Sequence, residues 1–243
     1  MKSATNPGRV AGILYLLLAV FGPFGLVIMP TMLIVNGDAA ATASNILASE
    51  GMFRLAIVSG VMVALVEIGL VVVLYQLLRP VNQTLSLIAA FSRLVMAIVQ
   101  TINLLNYFAV LLLLSGADYL NVFEPDQINA SVLLFLNLHS VAANLWQIFF
   151  GLHLLILGYL IFRSGYIPRI LGILLLIAAS GYLISSFGNV VFPDYHATFT
   201  QIILVFTVIP ELALMAWLLV KGAQPSDVAH APLSNAATAG ATA

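Results

Sequence analysis

From residue 10 to residue 220 the chain is a succession of long apolar runs, and the longest polar intervals between them, 36–51 and 115–127, are too short to fold alone. Runs of this length cross a bilayer as helices, because each backbone N–H and C=O must be satisfied without water. Composition agrees: 62% of residues are hydrophobic and 7% charged, with a mean hydropathy of +1.12, against roughly 45–50% and about 25% in soluble domains. The expected fold is all-α, one polytopic transmembrane bundle over 1–222. The lipid bilayer is its first partner, and a further membrane protein is a possible one. With no cysteine there is no disulfide, thiolate site or thiol nucleophile. Eight basic residues, scattered and all but Arg93 near helix ends, make no nucleic-acid patch.

Six helices are expected. The first, 10–35, is broken by Gly22-Pro23-Phe24-Gly25 and by Pro30, where a backbone donor is lost. Its rival is a cleaved signal peptide with Lys2 and Arg9 as the basic lead, but such an apolar region is only about 7–15 residues long. The interval 36–51 has room for a short surface helix. Helix two covers 52–78 and closes on Arg79-Pro80, and helix three follows to 114. Helix four, 128–162, is about 50 Å long and must tilt or project beyond a core of about 30 Å. Helices five and six occupy 168–187 and 197–220, and 223–243 reads as a disordered Ala, Ser, Pro and Gly tail.

Basic residues set the orientation. Lys2, Arg9, Arg79, Arg163, Arg169 and Lys221 fall at one side of a six-helix chain and Arg54 at the other, so both termini are expected in the cytoplasm. Tyr75, Tyr159, Tyr166 and Trp217 sit near the same ends, where amphipathic rings favour headgroups. The spacing Tyr-x-x-x-Arg occurs at 75–79 and 159–163, which pairs helix two with helix four. It reads better as an interfacial anchor used twice than as an inverted repeat.

Between helices four and five lies a tight basic turn carrying Arg163, Gly165, Pro168 and Arg169. Its surroundings, Gly-Tyr-Leu-Ile-Phe-Arg-Ser-Gly-Tyr-Ile-Pro-Arg-Ile-Leu-Gly preceded by Phe-Phe-Gly-Leu-His-Leu, resemble the signature of a prokaryotic multi-pass membrane family known as domain of unknown function 4386. Arg9 to Tyr15, Leu77 to Asn82 and Ala90 to Leu94 add to the resemblance, which covers about 9–222. It implies a protein of the bacterial cytoplasmic membrane and no particular activity.

The informative residues are the ionisable ones inside the apolar runs, since a charge at a helix centre costs about 2.5–3.5 kcal/mol. These are Glu67, Arg93, His153 and Glu211. Counted at about 1.5 Å per residue from the basic ends, they lie roughly 18, 14, 15 and 15 Å deep, one layer near the midplane. Helices two and three share a tight turn, so Glu67 and Arg93 are expected to pair rather than leave either charge unmatched. Each of the four could equally be a buried residue satisfied by a neighbouring helix. Glu211 follows Pro210, a break of the kind that lines carrier cavities. His139 and His153 stand about 21 Å apart along one helix and cannot share a metal. Asn137, Asn144 and Gln147 are expected on one face, bonding to a neighbouring helix.

There is no Walker loop, no Gly-x-Ser-x-Gly elbow and no His-Glu-x-x-His pair, so no catalytic residue, metal site or cofactor is indicated. Three function classes remain. The first is a non-catalytic accessory, sensory or lipid-interacting subunit. The second is a small proton- or ion-coupled carrier using the midplane residues. The third is an intramembrane enzyme acting on a lipid or quinone through His153.

Overall fold

The computed structural model describes residues 6–192 and 196–225, with side chains of the last helix from Thr207 onward. The first helix, α1 (Pro7–Leu33), starts where Asn6 Oδ1 accepts from Arg9 N at 3.2 Å and Pro7 takes a position that needs no donor. Its helix does not break at Pro23 and Pro30. It widens instead into a π-helical stretch, Phe24–Ile28, and Ser59 Oγ donates to Phe21 O just below, at 2.5 Å.

Asp38 caps a short helix, α2 (Ala39–Ala48), so the described residues hold seven helices where six were expected. The alanines of this segment favour helix once a cap is present. It buries Thr42, Ala43 and Ile46. Next come α3 (Glu50–Leu78) and α4 (Gln83–Leu113), separated by the Pro80 turn, with Asn82 capping α4. A capping box of Glu124 and Gln127 opens α5 (Pro125–Ser164), and Gly165, at φ 77, closes it in the left-handed conformation that glycine tolerates. The last two are α6 (Arg169–Val191) and α7 (His196–Lys221). With 40 residues, α5 is about 60 Å long. Its projecting first turns pack against α2.

The six long helices close into a ring in which α1 packs on α3, each later helix on the next, and α7 back on α1. Short connections make neighbours antiparallel, and contacts at one end bring the basic residues together. Gly8 N donates to Ala223 O, Ala223 N to Asn6 Oδ1, and Tyr166 OH to Leu77 O. Ala223 is therefore packed against the start of α1, while 226–243, the rest of the expected tail, lies outside the described residues. At the basic end α5 and α6 approach closely: a Cβ on Gly172 would lie 2.6 Å from Gly158 O. Glycine is needed there for the backbones to approach.

Five helices, α1, α3, α4, α5 and α6, are long and apolar enough to cross a membrane. Their outer faces carry bare aliphatic side chains such as Leu105 (63% exposed) and Val190 (69%). So large an apolar exterior is stable only against lipid. The chain is a multi-pass membrane protein.

Candidate functional site

Among the described residues Arg93 is the largest fully buried side chain, and four of its five donors are placed. Nε lies 2.5 Å from Glu67 Oε2 and Nη2 lies 3.1 Å from Oε1, a bidentate fork between α4 and α3. Nη1 donates to Tyr15 OH of α1 at 3.2 Å and meets His153 Nε2 of α5 at 3.0 Å. The protonation of His153 follows from its partners. Nδ1 faces Ala89 O at 2.8 Å, and a carbonyl only accepts, so Nδ1 holds the proton and Nε2 accepts from Arg93. The guanidinium carbon lies over the rings of Tyr15 and Phe150, 5.2 and 5.7 Å from their centres.

Three of the four expected residues thus meet in one contact group, with Glu67 5%, Arg93 1% and His153 1% exposed. Glu211 does not join it. Its Oε1 accepts from Tyr182 OH of α6 at 3.0 Å. It stays within Coulombic range of Arg93 and Glu67, and Phe150 stands between, edge-on to Tyr182 at 5.1 Å and stacked near His153 at 6.1 Å. The corner residues Arg163, Gly165, Pro168 and Arg169 lie at the basic end of the bundle and take no part in this group. Arg169 covers the Phe162 ring at 5.7 Å.

Sequence reasoning missed Tyr15, Phe150 and Tyr182 as partners. A tyrosine or phenylalanine in an apolar run looks like packing, although Tyr15, Arg93, Phe150 and His153 all fall in the strings that carry the family resemblance. The polar face expected on α5 is partly corrected. Asn144 Oδ1 accepts from Asn189 at 3.0 Å and Gln147 Oε1 from Ser186 at 3.4 Å, but Asn137 is exposed, since the α5 face turned to α6 ends near Asn144.

His139 occupies a separate layer. It stacks on Tyr107 at 3.9 Å, Tyr107 meets Phe53 at 5.1 Å, and Asn103 Nδ2 donates to His139 O at 3.0 Å. Beside it a cavity of about 30 Å³, room for a water or two, is lined by Gln100, Ser59 and the π-helical stretch of α1. Among the described residues no cluster of three or more His, Asp and Glu side chains could hold a metal ion.

Comparison with known proteins places this sequence in a family. An uncharacterized protein of the archaeon Archaeoglobus fulgidus is 29% identical over 171 residues, 70% of this chain and 86% of the relative. No solved structure matches the chain. The family model described as "Domain of unknown function (DUF4386)" matches residues 10–222, which include all of the Arg93 group and Glu211, and the chain belongs to that family.

Proposed function

We propose that the chain is a small proton- or ion-coupled carrier, with Glu67, Arg93, His153 and Glu211 as its midplane polar site. The observation that carries this reading is a charge imbalance at depth. One guanidinium stands at the depth of two carboxylates, and Glu67 already engages it with both oxygens. Glu211 is therefore the acid that can change its charge without breaking the ion pair. With a proton or small cation on Glu211 the layer is neutral; bare, it holds a net negative charge in a low dielectric. Pro210, beside Glu211, removes a backbone donor from α7 and gives that helix a place to bend as the charge changes.

In this reading α7 is a sixth span. Both termini and the turn of Arg163, Gly165, Pro168 and Arg169 then face the cytoplasm, and α1 is retained because Tyr15 serves Arg93. Reporter fusions after Gly165 and after Lys221 should both report cytoplasm, and a far-side signal at Gly165 would sink the topology. Purified protein in liposomes should discharge an imposed pH gradient, and Glu211→Gln should abolish the discharge. Equal discharge by wild type and Glu211→Gln would exclude the carrier. A second reading, a non-catalytic accessory, sensory or lipid-interacting subunit, is favoured by small cavities. The one beside His153 is about 10 Å³, less than a bound solute needs. No flux together with a co-purifying membrane partner would decide for it. A lipid- or quinone-directed enzyme has least support, since both nitrogens of His153 are engaged. It would require a lipid-extract product that disappears with His153→Ala.

A further inference from the structure

Tyr182, which donates to Glu211, is the first of a row of polar side chains on one face of α6: Tyr182, Ser185, Ser186 and Asn189. The row faces Gln147 and Asn144 of α5. Ser186 Oγ donates to Gln147 Oε1 at 3.4 Å, and Asn189 Nδ2 donates to Asn144 Oδ1 at 3.0 Å and to Ser185 Oγ at 3.5 Å. Heights counted on the two helices agree. From Arg169, Tyr182 lies about 20 Å up and Asn189 about 30 Å, while from Arg163, Gln147 lies about 24 Å and Asn144 about 29 Å. The row therefore runs from the midplane to the face opposite the Arg163 corner. Ser185 and Ser186 are buried, and Asn189 is only partly so, which marks the mouth.

One buried atom of this row, Asn189 Oδ1, is an acceptor without a partner among the described residues. Buried polar groups left so are costly, and ordered water is their usual partner. The row puts a polar side chain at each of two successive turns of α6, over about 10 Å.

We propose that the seam between α5 and α6 is a hydrated proton route joining Glu211 to the membrane face opposite the Arg163 corner, with Tyr182 as its last relay. The inference rests on the carrier reading and names the path by which that site is loaded. Amide groups do not hand protons on, so Asn144, Gln147 and Asn189 hold water while water and hydroxyls move the charge. In the final step a hydronium in the seam gives a proton to Tyr182 O as the hydroxyl proton of Tyr182 passes to Glu211 Oε1. Water, an intact tyrosine and a neutral carboxyl result. The other charged groups acting on Glu211 are Arg93 and Glu67, and both stay in their ion pair.

The chain has no cysteine, so single cysteines test the route in the full-length protein. Ser185→Cys and Ser186→Cys lie in the seam, and Ile184→Cys and Phe187→Cys lie at matched heights on the exposed face of α6. In proteoliposomes, Ag⁺ added on the face opposite the corner should modify the seam cysteines at least about tenfold faster, because the thiolate that reacts forms only where water reaches. Modification is read as protection from N-ethylmaleimide after denaturation. Equal or slower reaction in the seam overturns the route. Glu211-dependent proton flux with unreactive seam cysteines would remove the route and leave the carrier. Reactive seam cysteines without such flux would remove the carrier and leave a water-filled seam.

Discussion

Two layers of this bundle are built on one register and differ in chemistry. The charged layer holds Glu67, Arg93 and His153, and the other holds Phe53, Tyr107 and His139; each residue stands fourteen positions along its helix from its counterpart. The backbone repeats as well. His153 Nδ1 meets Ala89 O, and His139 Nδ1 meets Asn103 O, again fourteen positions on. Fourteen residues are two heptads, the spacing at which packed helices return to the same face. The second layer shows that α3, α4 and α5 can be held together at this register without an ion pair, by ring contacts and the hydrogen bonds between Asn103 and His139. The register by itself therefore does not call for an ion pair, and a costly buried charge kept where an aromatic ring stands in the other layer supports the site proposed above.

The largest expected effect comes from breaking the ionic layer by halves. Glu67→Gln or Arg93→Gln alone leaves a buried charge uncompensated and should cost about 3–5 kcal/mol, read as loss of thermal stability in detergent. Copying the other layer with Glu67→Phe and Arg93→Tyr together should recover most of that loss. If both single variants are as stable as wild type, the pair is not held as described.

The two histidines sharpen the contrast. His153→Ala strands an Arg93 N–H and the Ala89 carbonyl, at a cost of about 1–3 kcal/mol. His139→Ala loses its stacking on Tyr107 and its bond to Asn103 O, a carbonyl that still accepts from Asn106 Nδ2, so the cost should be smaller, about 0.5–1.5 kcal/mol. Equal melting shifts would mean that Arg93 does not depend on His153.

The ends of the bundle are less sensitive. Tyr166→Phe should remove about 1 kcal/mol by deleting the bond to Leu77 O. Burial pushes the Tyr166 hydroxyl from its usual 10.0 up to about 12. Its folded value is the higher one, so its contribution is complete below pH about 10 and fades as pH rises toward about 12. The phenylalanine variant should lack that part of the alkaline decline in a melting series.

Much of this was legible in the sequence. Apolar run lengths located the long helices, and Pro80 and Gly165 marked two of the turns between them. Depth counting brought Glu67 to Arg93, because a tight turn leaves antiparallel neighbours little freedom in height. Tyr15, Phe150 and Tyr182 were not legible, since which face of an apolar helix turns inward has no signature when lipid and core are equally apolar. The same ambiguity hid Asn137, whose spacing from Asn144 suits one face of α5 although the neighbour that would use it does not extend so far. Ala39–Ala48 needed its Asp38 cap to be weighed against a merely polar interval.

The most direct test joins the two layers in one protein. In proteoliposomes the Glu67→Phe, Arg93→Tyr double variant should keep its fold, by unchanged helicity and a melting temperature near wild type, yet lose the Glu211-dependent discharge of a pH gradient. Without Arg93 no cation remains at that depth to support Glu211 as a carboxylate. A double variant that folds and still discharges the gradient at the wild-type rate would contradict the account.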